Sequence, residues 1–153
     1  MFQIMVVEDD TNTRRLMETV LKQHGYQPIL ACDGVEALEK MESRHVDLIV
    51  LDLMMPRMDG YEFTRTLRDS GSDIPILMVT AKETPQDKKK GFIIGTDDYM
   101  VKPVDEEEML LRIAALLRRS RIVADRRLNI GGTELNFNSM SVTVAGKTES
   151  LPK

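Results

Sequence analysis

The sequence predicts an α/β domain in which helices cover both faces of a five-stranded parallel sheet, followed by a short antiparallel β fragment. Over residues 1–120, short apolar segments alternate with amphipathic segments, which favours repeated strand–helix pairs. Several apolar segments are almost continuously hydrophobic and rich in β-branched residues, as strands buried on both faces are. Because crossovers between parallel strands are right-handed, these pairs predict a doubly wound sheet.

Five strands are predicted from apolar segments that end abruptly at polar or charged residues. They span residues 2–7, 27–31, 46–51, 74–79 and 98–101. The segments over residues 46–51 and 74–79 are the clearest two-sided strands, because nearly every position in them is apolar.

The helices between these strands are predicted from apolar spacing, capping residues and stop signals. In the first helix Leu16, Val20 and Leu21 share one face, and Gly25 follows the helix end. Asp33 is expected to cap the second helix. Three further helices are predicted over residues 58–68, from Thr84–Pro85 to Gly95, and from residue 105 to Arg118–Arg119.

Composition and charge exclude several classes of protein. The single cysteine, Cys32, cannot form an internal disulfide, and two histidines are too few for a zinc site. No apolar run is long enough to span a membrane and no cleavable leader is recognisable, so we expect a cytoplasmic protein with no membrane partner. The net charge is −4 and the acidic excess lies in the first 121 residues, which disfavours non-specific binding of nucleic acid there.

Charged and polar side chains follow the predicted strands at the edge where parallel strands end. They are Glu8, Asp9 and Asp10 after the first strand, Asp52 after the third, Thr80 after the fourth and Lys102 after the fifth. In doubly wound sheets the active crevice lies outside these carboxyl ends. Oxygen ligands without histidine or cysteine favour Mg²⁺. The set therefore predicts a magnesium site beside a carboxylate that can attack phosphorus.

Each of these residues also has an ordinary structural interpretation. An aspartate after a strand is most often a helix cap, and this is the favoured interpretation for Asp10. Thr80 and Lys102, taken singly, are typical turn residues. The combination of these residue types at the ends of separate strands is what favours a functional site.

Four segments carry further motifs, in order along the chain. They read IMVVEDD at residues 4–10, VDLIVLDLMMP at residues 46–56 with MDG at residues 58–60, ILMVTAK at residues 76–82, and DDYMVKP at residues 97–103. Together these segments resemble the receiver domain of bacterial two-component response regulators. The resemblance covers roughly residues 2–120 and implies a flavodoxin-like fold.

The resemblance implies a phosphorylation switch. Asp52 would accept a phosphoryl group from a phosphohistidine on a sensor histidine kinase, and Lys102 and Thr80 would contact the phosphoryl oxygens. Tyr99 would then turn inward behind Thr80 and change the surface. The peptide bond between Lys102 and Pro103 would be cis.

The cofactor that the resemblance implies is Mg²⁺. Asp9 and Asp52 would bind it directly, with the backbone carbonyl of Met54 as a further ligand. Glu8 would act mainly through metal-bound water.

Several charged residues resemble the dimer face of the OmpR/PhoB group of transcription factors. They are Lys88, Asp97, Asp98, Glu108, Arg112 and Arg119. The resemblance implies a homodimer on phosphorylation. Across subunits, Lys88 would pair with Glu108, and Asp97 or Asp98 would pair with Arg112 or Arg119. If these residues are ordinary solvated charges instead, each pair contributes little to stability.

The end of the chain has a different pattern. Short strand candidates at residues 128–130, 133–137 and 141–144 are separated by Gly, Asn and Ser, and they resemble the β-sheet that opens an OmpR-type winged-helix domain. We therefore predict a receiver over residues 1–120, a linker over 121–127 and a β fragment of the DNA-binding domain over 128–153. DNA binding is expected only through the effector domain, of which this chain holds a small part, as a fragment or a natural truncation.

Two alternatives to a phosphorylation-driven transcription regulator stay open. A phosphatase-type enzyme would use residues 9–11 as a nucleophile loop, but the domain has no room for a segment that seats a substrate, so we expect no enzyme. A phosphorylation-independent interaction module would keep the fold without using the acidic pocket.

Overall fold

The computed structural model describes residues 1–81, 89 and 94–131 of the chain. The strands are β1 (Gln3–Val7), β2 (Gln27–Ala31), β3 (Leu48–Asp52), β4 (Ile76–Thr80) and β5 (Asp98–Val101). The helices are α1 (Thr11–Gln23), α2 (Gly34–Met41), α3 (Gly60–Asp69) and the last helix, α4 (Glu106–Gly131). The helix predicted between Thr84 and Gly95 lies largely outside the described residues.

The five strands form one parallel sheet in the order β2-β1-β3-β4-β5. The chain therefore starts at the strand next to one edge of the sheet, completes that edge with β2, and then crosses β1 to build the rest of the sheet with β3, β4 and β5. This arrangement confirms the predicted doubly wound, flavodoxin-like fold.

Both faces of the sheet are buried, and alternate residues of each strand divide between two apolar clusters. In β1, Ile4 and Val6 belong to the cluster that includes residues of α1 and of the last helix. Met5 and Val7 belong to the cluster on the other face, together with Phe63 of α3. The near-continuous hydrophobicity of the strands is thus explained by contact with helices on both sides.

Aspartates cap the first three helices. The side chain of each accepts a hydrogen bond from the backbone N–H three residues later, in the pairs Asp10–Thr13, Asp33–Glu36 and Asp59–Glu62. These bonds satisfy amide groups that have no partner inside the helix. The capping interpretations of Asp10 and Asp33 are confirmed.

The prediction for the buried face of α1 was partly wrong. Val20 and Leu21 are buried as expected, but Leu16 is 45% exposed and Met17 is buried in its place. Residues 17, 20 and 21 have the i, i+3, i+4 spacing of one helix face, whereas residue 16 lies about a quarter-turn away from it.

The last helix is longer than predicted. It continues past Arg118–Arg119, through the predicted linker and through the strand candidate at residues 128–130, to Gly131. Residues 121–130 contain no glycine or proline and include several good helix formers, so nothing interrupts the helix before Gly131 and Gly132. Contacts group residues 1–117 in one compact unit and residues 118–153 in a second. The other strand candidates lie outside the described residues, and the assignment of an effector fragment stays a prediction.

Within the described part of the chain, no helix is both long enough and apolar enough to cross a membrane.

Candidate functional site

The predicted site residues meet at the carboxyl edge of the sheet because the strands that carry them are aligned neighbours. Glu8 follows the end of β1, Asp52 and Thr80 are the last residues of β3 and β4, and Lys102 follows β5. The register places Asp52 opposite Val79 and Thr80 opposite Val101, so these strands end at nearly the same level. The predicted convergence of four separate segments is confirmed.

Three carboxylates form a compact cluster at this edge. Glu8, Asp9 and Asp52 each offer an oxygen, and these oxygens lie within 4.8 Å of one another. Glu8 is 1% exposed and Asp52 is 4% exposed, whereas Asp9 is exposed. Two of the three carboxylates are therefore buried away from water. In the protein interior the repulsion between negative charges is screened less than it is in water.

Lys102 supplies the positive charge beside this cluster. Its Nζ lies 3.3 Å from Oε1 of Glu8 and 3.4 Å from Oδ1 of Asp52. Its backbone N–H donates to the carbonyl of Thr80 at 2.7 Å, which ties the position of Lys102 to the end of β4. The following peptide bond, to Pro103, is cis, as predicted.

The local environment shifts the acid–base properties of all three charged groups that are in contact. Burial raises the pKa of Glu8 to about 7, against a hydrogen bond from the backbone N–H of Asp10 that lowers it. Burial also raises the pKa of Asp52, with the charge of Lys102 opposing the shift. Burial would lower the pKa of Lys102, but the charges of Asp52 and Glu8 outweigh this and raise it. The pocket holds more negative charge than Lys102 balances.

The carboxylate cluster fits a hard divalent cation. Oε1 of Glu8 is buried and, apart from its ion pair with Lys102, has no hydrogen-bond partner among the described residues, so it can still accept a cation. All three side-chain atoms that could bind the metal are carboxylate oxygens, which suits Mg²⁺. The N–H of Met54 donates to Oδ1 of Asp52 at 3.4 Å, which keeps Met54 next to the site, and the role of its carbonyl as a ligand stays a prediction.

Residues 4–114 match the family described as the response regulator receiver domain. The chain belongs to this family. It is 38% identical over 152 residues to the heme response regulator HssR of Staphylococcus epidermidis, an alignment that covers 99% of this chain and 67% of HssR. It is 42% identical over 140 residues to the response regulator MprA of Mycobacterium ulcerans, covering 92% of this chain and 60% of MprA. It thus spans about two thirds of the length of these curated relatives.

Solved receiver domains have the same fold as this one. The receiver domain of the Francisella response regulator 1452 superposes with a TM-score of 0.75 at 30% identity, covering 78% of this chain and 99% of that chain. The receiver domain of TorR, from the TMAO respiratory system, gives a TM-score of 0.73 at 34% identity, covering 78% and 98%.

Tyr99 of this receiver domain is buried in the present structure. It is 4% exposed and belongs to the cluster that includes Phe63 and Met78. Its side chain therefore already lies in an inward position, which corresponds to one end of the predicted rotation. The rotation itself stays a prediction.

The predicted dimer face carries ion pairs within one chain. Nη1 of Arg112 donates to both carboxylate oxygens of Asp98, at 3.0 and 2.9 Å, and Nη2 lies 2.9 Å from Oε2 of Glu108. Asp97 pairs with Arg68 of α3, at 2.9 Å, and accepts from the N–H of Ile76. The sequence implied partners across subunits for these aspartates, and the structure shows partners inside the chain. Arg119 is exposed, and Lys88 lies outside the described residues.

Two arginines near the site were missed by sequence reasoning. Nη1 of Arg14, in α1, donates to the carbonyl of Glu8 at 2.7 Å and reaches the carbonyl of Asp9 at 3.4 Å. Arg57, in the loop after β3, pairs with Asp33 at 2.7 Å. For Arg14, the only sequence feature that could have indicated its contact is its position one helical turn after the acidic segment. For Arg57 no local feature was available, because its partner Asp33 is 24 residues away in sequence.

Proposed function

We propose that this receiver domain is a phosphorylation switch in which Asp52 accepts a phosphoryl group from a phosphohistidine of a sensor histidine kinase. One observation carries the proposal: Asp52 is buried within a compact cluster of carboxylates and lies 3.4 Å from the ammonium of Lys102. A carboxylate in contact with a lysine, next to a place for a cation, is suited to attack phosphorus and to hold the transferred oxygens.

In the proposed reaction an oxygen of Asp52 attacks phosphorus. The new oxygen–phosphorus bond forms as the bond from phosphorus to the kinase imidazole nitrogen breaks, and the electron pair stays on the imidazole. Lys102 would hold a phosphoryl oxygen by charge, and the hydroxyl of Thr80 would contact another. Glu8, Asp9 and Asp52, with the carbonyl of Met54, would hold Mg²⁺, which when bound neutralises the negative charge that gathers on the phosphoryl group.

The proposed output is dimerisation and, in a full-length regulator, control of transcription through DNA binding. The alignment to HssR extends over 99% of the chain, well beyond the receiver match that ends at residue 114, which supports a regulator with more than a receiver. The resemblance in sequence of the later strand candidates, at residues 133–137 and 141–144, to an effector sheet also supports it. For a dimer, Arg112 would exchange its intrachain partners for partners on the second subunit.

Intact mass after incubation with acetyl phosphate tests the phosphoacceptor. We expect one phosphoryl adduct that requires Mg²⁺ and is absent from Asp52→Ala, with circular dichroism showing that the variant is folded. We expect stoichiometric labelling rather than steady turnover of phosphate esters. An adduct of equal yield in Asp52→Ala would refute the assignment of Asp52.

Light scattering with and without beryllofluoride tests the proposed output separately. Beryllofluoride mimics a phosphoryl group on an aspartate, so we expect the molar mass to double in the presence of Mg²⁺. Arg112→Glu should prevent the doubling and leave the phosphoryl adduct intact. If the wild type forms the phosphoryl adduct but its molar mass does not change with beryllofluoride, the proposed dimerisation is contradicted and the assignment of Asp52 is not.

A further inference from the structure

The loop that follows the proposed phosphoacceptor is held by hydrogen bonds at both of its ends. This β3–α3 loop (residues 53–59) starts directly after Asp52 and contains Met54, whose N–H donates to Asp52. The N–H of Gly60 donates to the carbonyl of Leu53 at 2.8 Å, which draws the two ends of the loop together. The shape of the loop therefore determines where the backbone of Met54 lies relative to Asp52.

Arg57 fastens the middle of this loop to the start of α2. Its Nε and Nη2 both donate to Oδ2 of Asp33, at 3.0 and 2.7 Å. The other oxygen of Asp33 accepts from the N–H of Glu36 as the cap of α2. The side chain of Asp33 is 8% exposed and that of Arg57 is 58% exposed, so only the arginine is solvated as in an ordinary surface ion pair.

The neighbouring residue makes a second attachment between the same two elements. A Cβ on Gly34 would lie 2.9 Å from Sδ of Met58 and 3.2 Å from its Cβ. The absence of a side chain at Gly34 therefore lets the loop pack directly on the first turn of α2. Two successive loop residues, Arg57 and Met58, are thus held by two successive residues of the neighbouring segment, Asp33 and Gly34.

Arg57 is also held in an unfavourable backbone conformation. Its φ is 68°, in the left-handed region, and it is the only described residue other than glycine with a positive φ. Side chains with a Cβ adopt this region at a cost, and such a conformation persists where the surroundings enforce it. The start of α3 does not require it, because Asp59 caps that helix by itself.

We propose that Asp33 and Arg57 are positioning residues for the metal site, holding the β3–α3 loop so that the backbone beside Asp52 is ready for Mg²⁺. The inference rests on the proposed function, because it assigns the pair to the same site. It predicts that loss of the pair weakens Mg²⁺ binding even where the fold keeps its stability. Residues that orient metal ligands from outside the site commonly change metal affinity by about 10–100-fold when replaced.

Urea unfolding at a series of MgCl₂ concentrations tests this with Mg²⁺ as the only ligand. The free energy of unfolding without Mg²⁺ reports the fold, and its increase with Mg²⁺ reports the affinity, since a ligand of the native state stabilises it by mass action. Arg57→Gly removes the pair and relieves the left-handed backbone. Asp33→Asn removes the charge and keeps a capping oxygen. Arg44→Gly is the control, since Arg44 is exposed in another loop.

We expect the half-saturating Mg²⁺ concentration to rise about tenfold in Arg57→Gly and Asp33→Asn, at the lower end of the usual range, and to stay unchanged in Arg44→Gly. Arg57→Lys keeps the charge without the two-nitrogen contact, so its half-saturating Mg²⁺ concentration should lie between that of the wild type and that of Arg57→Gly. The increase in the free energy of unfolding can be plotted against Mg²⁺ concentration for each protein. If the plots for Arg57→Gly and Asp33→Asn superpose on that of the wild type, the inference is overturned and the proposed function stands. A wild type with no Mg²⁺-dependent stabilisation would overturn both.

Discussion

Oε1 of Glu8 lies 3.3 Å from Nζ of Lys102, yet it accepts no hydrogen bond from any described residue. Glu8 is almost completely buried, so this oxygen no longer accepts hydrogen bonds from water and has only the ion pair with Lys102 in their place. A buried acceptor left unsatisfied destabilises a fold. The acidic pocket therefore lowers the stability of the metal-free domain, and this is expected where a site is shaped for a ligand.

Glu8→Gln should stabilise the metal-free protein at alkaline pH. The pKa of Glu8 is raised from 4.5 to about 7, so the folded state binds a proton more tightly than the unfolded state. Stability is then lost as the pH rises from about 4.5 through about 7, because the buried group must ionise. Gln cannot ionise, so the variant should be more stable by on the order of 1–3 kcal/mol at pH 8 and nearly equal at pH 5.

Urea unfolding in EDTA at both pH values measures this difference. Saturating Mg²⁺ should reduce or reverse it, because the cation favours the ionised carboxylate of the wild type. A variant that is less stable than the wild type at pH 8 in EDTA would contradict the account of Glu8.

Lys102→Met should slow phosphorylation of Asp52. The variant loses the cation that lies within 3.4 Å of the acceptor, and removing one such charge or donor typically costs about 10²–10³-fold in rate. The initial rate of adduct formation with acetyl phosphate, followed by intact mass at saturating Mg²⁺, measures the effect. Lys22→Met is the matched control, because Lys22 is exposed and pairs only with Glu18 along α1 among the described residues. Equal rates for the two variants would remove Lys102 from the proposed chemistry.

Thr96→Val should stabilise the domain. Oγ1 of Thr96 is buried and has no hydrogen-bond partner among the described residues, and Val keeps the shape without the hydroxyl. Removing an unsatisfied buried hydroxyl should increase the free energy of unfolding by about 1 kcal/mol. Thr64→Val is the comparison, because the buried hydroxyl of Thr64 donates to the carbonyl of Gly60 at 2.8 Å. If thermal unfolding shows Thr64→Val to be more stable than Thr96→Val, this interpretation is contradicted.

The sheet and the core of the site were predictable because they follow from local patterns. Strands buried on both faces have a simple hydrophobic signature, and parallel strands bring their carboxyl ends to one edge by geometry alone. Glu8, Asp52, Thr80 and Lys102 were therefore placed together correctly without knowledge of their distances. The capping roles of Asp10 and Asp33 were predictable for the same reason, since a cap acts on a residue three positions away.

The remaining features depend on partners that are distant in sequence. The pairing of Arg57 with Asp33 depends on the path of the β3–α3 loop, which sequence periodicity does not describe. Asp98 and Arg112 were among the charged residues predicted to pair across subunits, but whether such charges meet within one chain or between two is decided by the assembly. Leu16 was misplaced because a one-residue shift rotates a helical side chain by about 100°.

The most direct test of the central claim locates the phosphoryl group on the chain. Acetyl phosphate and Mg²⁺ would form the adduct, borohydride would reduce the acyl phosphate to an alcohol, and peptide mass spectrometry would identify the reduced residue. We predict reduction at Asp52 alone, dependent on both acetyl phosphate and Mg²⁺. Reduction at Asp9, Asp10 or another residue, with Asp52 unmodified, would contradict the assignment of Asp52 as the acceptor.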